Sequence, residues 1–264
     1  MTSMTPVPEV QSTPEGRSPT PGRGWLWTLL VLILIGGAVT LAVWLLPTST
    51  AIQSETFDGE VGQLMIDVTG GVDLVAGDQT EVTITKEWLF AGEPTVVVTY
   101  ENGVARVEGE CSWFQINCTT SVSGTVASDA MVEVRTSAGS IDVRGTTGGT
   151  DLETSAGSVN VDDVAGPARL VTSAGNITGS LADGDVEAET SAGLVELTVL
   201  GEFTSLSAST SAGNVDLTVP DDVYDVDADT AAGSVNINVA TDPSAGRRIF
   251  AESSAGSITI SPAP

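Results

Sequence analysis

The chain contains no histidine, and that absence removes a large share of enzyme chemistry. A Ser-His-Asp or Cys-His centre cannot be assembled, and a zinc site loses its usual nitrogen ligand. Bases are scarce as well: 9 Lys and Arg stand against 35 Asp and Glu in 264 residues, a formal net charge of −26. A surface of that sign has few groups that displace counterions from a phosphate backbone, so nucleic acid is excluded as a partner. Anionic lipid is excluded as an adsorbing surface for the same reason. The plain reading of the charge is solubility and self-repulsion. Aromatic residues make up 5% of the chain, and there are two cysteines.

Charge is missing altogether from Trp25 to Leu46, which reads WLWTLLVLILIGGAVTLAVWLL. Twenty-two such residues make a helix of roughly 33 Å, enough to cross a hydrocarbon core of about 30 Å. Trp25, Trp27 and Trp44 stand near its ends, where amphipathic rings prefer the interface, and Pro47 stops it. Arg17 and Arg23 lie just before the span, and the first base after it is Lys86. The positive-inside rule therefore puts the N-terminus in the cytoplasm and everything after the span outside. A cleaved signal peptide is the rival reading; its apolar core is usually shorter, about 7–15 residues. Residues 1–24 carry five prolines and little to bury, which predicts a disordered cytoplasmic tail. Residues 47–54 read as a linker, and 55–264 as the extracytoplasmic domain.

Both cysteines, Cys111 and Cys118, fall in the part placed outside, where disulfides persist. The alternative is a metal clip, for which two thiols without histidine are a poor set. The loop between them carries Trp113 and Phe114. Those rings are expected either as a plug over one end of the core or as an exposed tip.

What the chain has in abundance is one motif. Thr-Ser-Ala-Gly or a near copy recurs with glycines at Gly139, Gly157, Gly175, Gly193, Gly213, Gly233 and Gly256, at spacings of 18, 18, 18, 20, 20 and 23. A period this short and regular signals stacked repeats. After each glycine comes an apolar alternation such as Ile141/Val143, Val159/Val161 or Val195/Leu197. Its period of 2 predicts a strand with one buried face. Before each triplet, Val134, Leu152, Leu170, Ala188, Ala208, Ala228 and Ala251 read as inward on the same basis. Glycine at the corner permits positive φ, and Ser and Ala are small enough for a tight bend. The expected fold class is all-β: a β-solenoid or β-roll of 18–23-residue rungs, preceded by one transmembrane α-helix.

Stacking would align equivalent side chains. Thr136, Thr154, Thr172, Thr190, Thr210, Thr230 and Ser253 form one inward hydroxyl ladder, able to hydrogen-bond from rung to rung. Asp142, Asn160, Thr178, Glu196, Asp216, Asn236 and Thr259 form an outward one, with Glu196 beside Asp216 as its one clash. Residues 55–130 are less regular. LMIDVTGGVDLV at 64–75 reads as a degenerate rung with Gly70-Gly71 at its corner. EVTITKEW, TVVVTY and GVARVEG read as further strands. They are expected to begin the same stack with one hairpin inserted, or to form a separate sandwich. Residues 131–261 are the regular rungs. Pro262 and Pro264 follow the last strand and are expected to blunt an exposed edge.

With these seven rungs, the single span and the early two-cysteine segment, the chain resembles the bacterial putative-adhesin family. That family is a domain of unknown function built as a right-handed β-solenoid. The resemblance covers about residues 52–264 and is most specific over 131–261. It implies a cell-surface location, a structural, adhesive or envelope-sensing role, and no catalytic residues.

Hidden chemistry finds little footing in the sequence. Asp162-Asp163 and Asp221-Asp222 are adjacent carboxylates, but both sit in turn-like sequence and read as solvated loops. Arg135, Arg144, Arg169, Arg247 and Arg248 do not share a ladder position. The acids after the corner glycines are out of frame with calcium-binding β-roll repeats. Ser244-Ala245-Gly246 is out of step with the strands and is expected as a surface loop, with Arg247 and Arg248 paired to their own acidic neighbours. The expectation is a non-enzymatic, cofactor-free, single-pass cell-membrane protein whose partner is an envelope polymer or surface protein. A polysaccharide-active β-helix enzyme and an envelope-stress sensor are the competing readings.

Overall fold

The computed structural model describes residues 49–264 apart from 58, 90, 91, 113, 114 and 116. The tail at 1–24, the apolar run at 25–46 and the rings of Trp113 and Phe114 lie outside the described residues. Among the described residues no helix is long and apolar enough to cross a membrane. The strands form two sheets of eleven each. From Met131 to Ile237 successive strands alternate between the sheets, and each corner glycine joins a strand of one to a strand of the other. Thr150–Ala156 and Val159–Val164, for example, flank Gly157. Most pairs are parallel and in register: Leu152 faces Val134 on one side and Leu170 on the other, and Val159 faces Ile141 and Ile177.

The two inner faces enclose one core, in which the expected inward residues from Val134 to Ala208 are buried. Volume is exchanged within that core from rung to rung. The paired inward positions of the second sheet read Val132/Val134, Thr150/Leu152, Ala168/Leu170, Val186/Ala188, Leu206/Ala208 and Ile249/Ala251. Where one position shrinks from Leu to Ala, its neighbour grows from Ala to Val, Leu and Ile. The width between the sheets is thereby filled at constant density.

Each corner is a close approach of backbones. A Cβ on Gly157 would lie 2.2 Å from the Gly139 carbonyl oxygen, and one on Gly193 would lie 2.0 Å from that of Gly175. The inward hydroxyl uses the same carbonyl. Thr154 donates to Gly139 O at 3.2 Å, Thr172 to Gly157 O at 2.9 Å and Thr190 to Gly175 O at 3.0 Å. Threonine and glycine of the motif are thus two halves of one contact between neighbouring rungs. The hydroxyl satisfies a carbonyl lone pair at a half-buried corner.

At both ends the order of rungs in space departs from their order in the chain. The strand Arg248–Ala255 lies between Ser205–Ala212 and Val223–Thr230, and Ile258–Pro262 lies between Val215–Val219 and Val235–Ile237. The Gly256 rung is therefore inserted between those of Gly213 and Gly233. Ser253 donates to Gly213 O at 2.9 Å, and Thr230 donates to Gly256 O at 2.8 Å. This corrects the simple expectation of each corner above the last. It also corrects the role expected of Pro262, which pairs with Val219 inside the sheet rather than ending it. The long spacing before Gly256 is the chain doubling back.

The start of the domain does the same. The Gly70-Gly71 rung, Gln63–Val68 and Val72–Gly77, is held between the Gly139 rung and one made of Val104–Glu110 and Thr119–Ala127. Thr136 donates to Gly70 O, as the degenerate-rung reading requires. Residues 55–130 thus continue both sheets and form no separate sandwich. The inserted hairpin is Thr95–Glu101 with Val104–Glu110, turned at Asn102-Gly103, both at positive φ. Residues 49–54, expected as linker, belong to the strand Ser49–Thr56, which pairs antiparallel with Glu81–Trp88.

Candidate functional site

With a backbone this regular, chemistry has to come from the outward ladders. On the second sheet one ladder runs Glu133, Asp151, Arg169, Glu187, Ser207. Arg169 reaches Asp151 at 3.3 Å and Glu187 at 3.7 Å. Arg135, on the adjoining ladder, pairs with Glu133 and reaches Glu153 at 3.8 Å. The hydrogen bond that Arg135 donates to Glu133 holds the Arg135 pKa above its ordinary value, against the opposing effect of burial. Arg247 pairs with Glu202 and Asp222, and Arg248 with Asp225 and Asp227, as the sequence predicts. Together with Lys86–Glu93, Arg106–Glu108 and Arg144–Asp73, these bonds engage every base beyond residue 48. Among the described residues no Lys or Arg is without an acidic partner.

Beside the Arg169 ladder an open groove of about 450 Å³ crosses several rungs. Asp151, Arg169, Asp185 and Glu187 supply its charge, and Ser205 and Ser207 lie at one end. Met131 and Pro167 add apolar surface, and beneath them the strands turn the side chains of Thr150, Ala168 and Val186 inward to the core. Asp185 is fixed by local structure: its Oδ1 accepts the backbone N–H groups of Thr204 at 2.7 Å and Ser205 at 2.9 Å. Thr150 is 2% exposed, and its hydroxyl has no hydrogen-bond partner among the described residues. An unpaired buried hydroxyl is costly, and this one faces the core between the sheets rather than the groove. The groove thus offers carboxylates, hydroxyls and apolar surface.

The outer face of the first sheet is flatter. Asn160 donates to Asp142 at 3.1 Å, and Thr178 donates to Asn160 at 2.8 Å, so the first three positions of this ladder are hydrogen-bonded to one another. Glu196 and Asp216 are neighbours, as expected. Asp162-Asp163 lies in a strand at a register shift rather than in a loop, with Asp163 at φ 53. The Ser180 hydroxyl donates to Asp162 Oδ1 at 2.9 Å, giving that pair a structural role. Asp221-Asp222 is exposed at a bend. Among the described residues no group of three or more Cys, Asp or Glu is arranged to hold a metal ion.

The expected repeat turns, Gly139 to Gly256, are all corners, and except in the terminal Gly233 rung their carbonyls accept a hydroxyl from the neighbouring rung. Cys111 and Cys118 are joined in a disulfide, with Cα atoms 5.9 Å apart, at the place where other rungs carry their triplet. Sequence reading missed the aromatic pairs near the ends of the stack. Phe57 and Tyr100 pack at 5.8 Å, and Phe203 stacks on Tyr224 at 5.6 Å. Tyr224 is fully buried and donates to Pro220 O at 2.7 Å. Burial, then the charges of Asp222 and Asp221, raise its pKa above the ordinary tyrosine value. The groove was missed because its walls come from rungs 18–20 residues apart, each unremarkable alone.

No protein-family model and no curated protein matches this chain. Solved structures that overlap with it include a "putative cell adhesion protein" from Clostridium sporogenes ATCC 15579. That overlap has 10% identity and a TM-score of 0.35, covering 81% of this chain and 100% of the other. A "putative adhesin" from Bacteroides fragilis NCTC 9343 overlaps at 14% identity and TM-score 0.47, covering 81% and 98%. Another "putative adhesin", from Parabacteroides distasonis ATCC 8503, overlaps at 13% identity and TM-score 0.39, covering 81% and 97%. Scores of this size carry no argument about what this chain does, and the groove is read on its own chemistry.

Proposed function

We propose that this chain is a single-pass envelope protein whose β-solenoid ectodomain binds a hydroxyl- or amide-bearing envelope polymer in the groove beside Arg169, without turning it over. Two in-register parallel sheets joined at close glycine corners support the solenoid reading. The uncharged run at Trp25–Leu46 and the bases Arg17 and Arg23 support the anchor and its orientation. The disulfide suits an oxidising compartment. The observation that carries the binding role is the groove itself. It crosses several rungs, presents Asp151, Asp185 and Glu187 as acceptors, and carries the hydroxyls of Ser205 and Ser207. An elongated ligand with donors at regular intervals fits such a surface; a polyanion does not.

The test is retention of the full-length protein, in detergent, on insoluble cell-wall polysaccharide. Glu187→Lys should reduce retention several-fold. Ser207→Ala, on the outward ladder beside Glu187, should reduce it with little change in stability. Undiminished retention in both variants would remove the groove from the binding site. Cleavage of the polymer by the wild-type chain would overturn the non-enzymatic reading.

A further inference from the structure

The last rung in space ends on an open edge. Ala240–Thr241 pairs with Val223–Tyr224 only. Among the described residues, no strand lies outside Val226–Thr230 or Val235–Ile237. On the inner side the N–H of Asp225 donates to Arg247 O and that of Ala231 to Ser253 O. By the alternation of a parallel ladder, the N–H and C=O groups of Val226, Ala228 and Thr230 point the other way, to the free edge. The core is uncovered there too. Val235 and Ile237 align with the fully buried Ile258 and Ile260, yet are 37% and 40% exposed.

We propose that this edge takes up an extended basic segment of a partner protein as the next strand of the second sheet. Charge selects the partner. Asp225, Asp227 and Asp229 alternate along the outward side of the edge strand, and the nearest base, Arg248, reaches the first two. Asp229 instead faces Glu252 in register. An incoming strand with Lys or Arg outward lies beside these acids, and its apolar residues close over Ala228, Val235 and Ile237. A second copy would bring its own three aspartates to the same line, where like charges in register oppose pairing. This proposal does not depend on the groove beside Arg169, which lies on a face of the stack rather than at its end.

The probe is a fluorescein-labelled peptide of about seven residues alternating Lys and Val, with a Glu/Val counterpart, measured by anisotropy against the full-length protein in detergent. The basic peptide should bind, weakening as salt rises, and the acidic one should not. Ala228→Pro removes a free-edge donor without breaking an internal ladder bond, and should weaken binding at least about tenfold. Asp229→Lys should weaken it roughly three- to tenfold. Because it replaces a like-charge neighbour of Glu252, it should raise rather than lower the melting temperature, which separates lost binding from lost folding. Equal binding of the two peptides, or binding insensitive to both variants, overturns the proposal. Self-association that Ala228→Pro abolishes, with no peptide bound, assigns the edge to a second copy and overturns it as well.

Discussion

Two Ser-Ala-Gly triplets in this chain have the same sequence and opposite surroundings, so one substitution can be tried in both. Gly175 closes a corner of the stack. A Cβ there would sit 2.0 Å from Gly157 O and 2.5 Å from its carbonyl carbon. Gly175 is not among the glycines at strongly positive φ, so the cost of Gly175→Ala is steric rather than conformational. Relief requires the two rungs to part locally. That strains the bond from Gly157 N to Ala174 O, the bond from Gly175 N to Ala192 O, and the Thr172 hydroxyl bond to Gly157 O. Three bonds at about 1 kcal/mol each put the destabilisation at about 3 kcal/mol. For a domain of this size that lowers the melting temperature by roughly 6–12 °C. Gly246 lies in the loop before Arg248, and a Cβ there would meet nothing within 4 Å. Gly246→Ala should change stability by less than about 0.5 kcal/mol, or raise it slightly by restricting the unfolded chain. Thermal unfolding followed by circular dichroism reads both. Equal shifts at the two sites, or a neutral Gly175→Ala, would refute the idea that the corners are backbone contacts between stacked rungs.

Other perturbations test other parts. Thr172→Val leaves the Gly157 carbonyl without its 2.9 Å donor and should cost about 1–2 kcal/mol in chemical denaturation, whereas Thr150→Val should be neutral or stabilising. Replacing Cys111 and Cys118 together with serine should cost about 2–3 kcal/mol, matched by reducing agent on the wild type and absent when the variant is reduced. Tyr224 holds its proton more tightly folded than unfolded. Its stabilising share is complete below the ordinary tyrosine pKa and is lost as pH rises through the higher folded value. The alkaline decline in melting temperature should therefore be shallower in Tyr224→Phe than in the wild type.

The central rungs were legible because every signal there is local. The triplet, the alternation after it and the threonine before it fall within eight residues, so Thr136 through Thr210 could be assigned to one ladder from spacing alone. The ends were not legible, because insertion of the Gly256 rung is a long-range choice. Its strand matches the Gly213 and Gly233 rungs equally well in pattern, and nothing in that pattern says on which side of Gly233 it packs. One cue was present in the long spacing before Gly256, which leaves chain enough to double back. Asn102-Gly103 between two apolar alternations was a readable hairpin signal for the irregular first part. The exchange of volume between Leu170/Ala168 and Ala208/Leu206 could not be seen, because it depends on which rungs touch. The groove likewise gathers residues from separate rungs, each of which alone reads as a solvated polar position.

The inserted rung offers the sharpest measurement. Thr218 faces Ser261 in register, so their Cα atoms lie about 5 Å apart, while Asn238 lies one strand further out, at about 10 Å. Cysteines placed at Thr218 and Ser261 should form a disulfide on mild oxidation, seen by mass spectrometry of the unreduced digest, because that spacing is bridgeable. Cysteines at Thr218 and Asn238 should remain free. Crosslinking of the second pair and not the first would place the rungs in simple chain order and contradict the architecture on which the free edge and its partner rest.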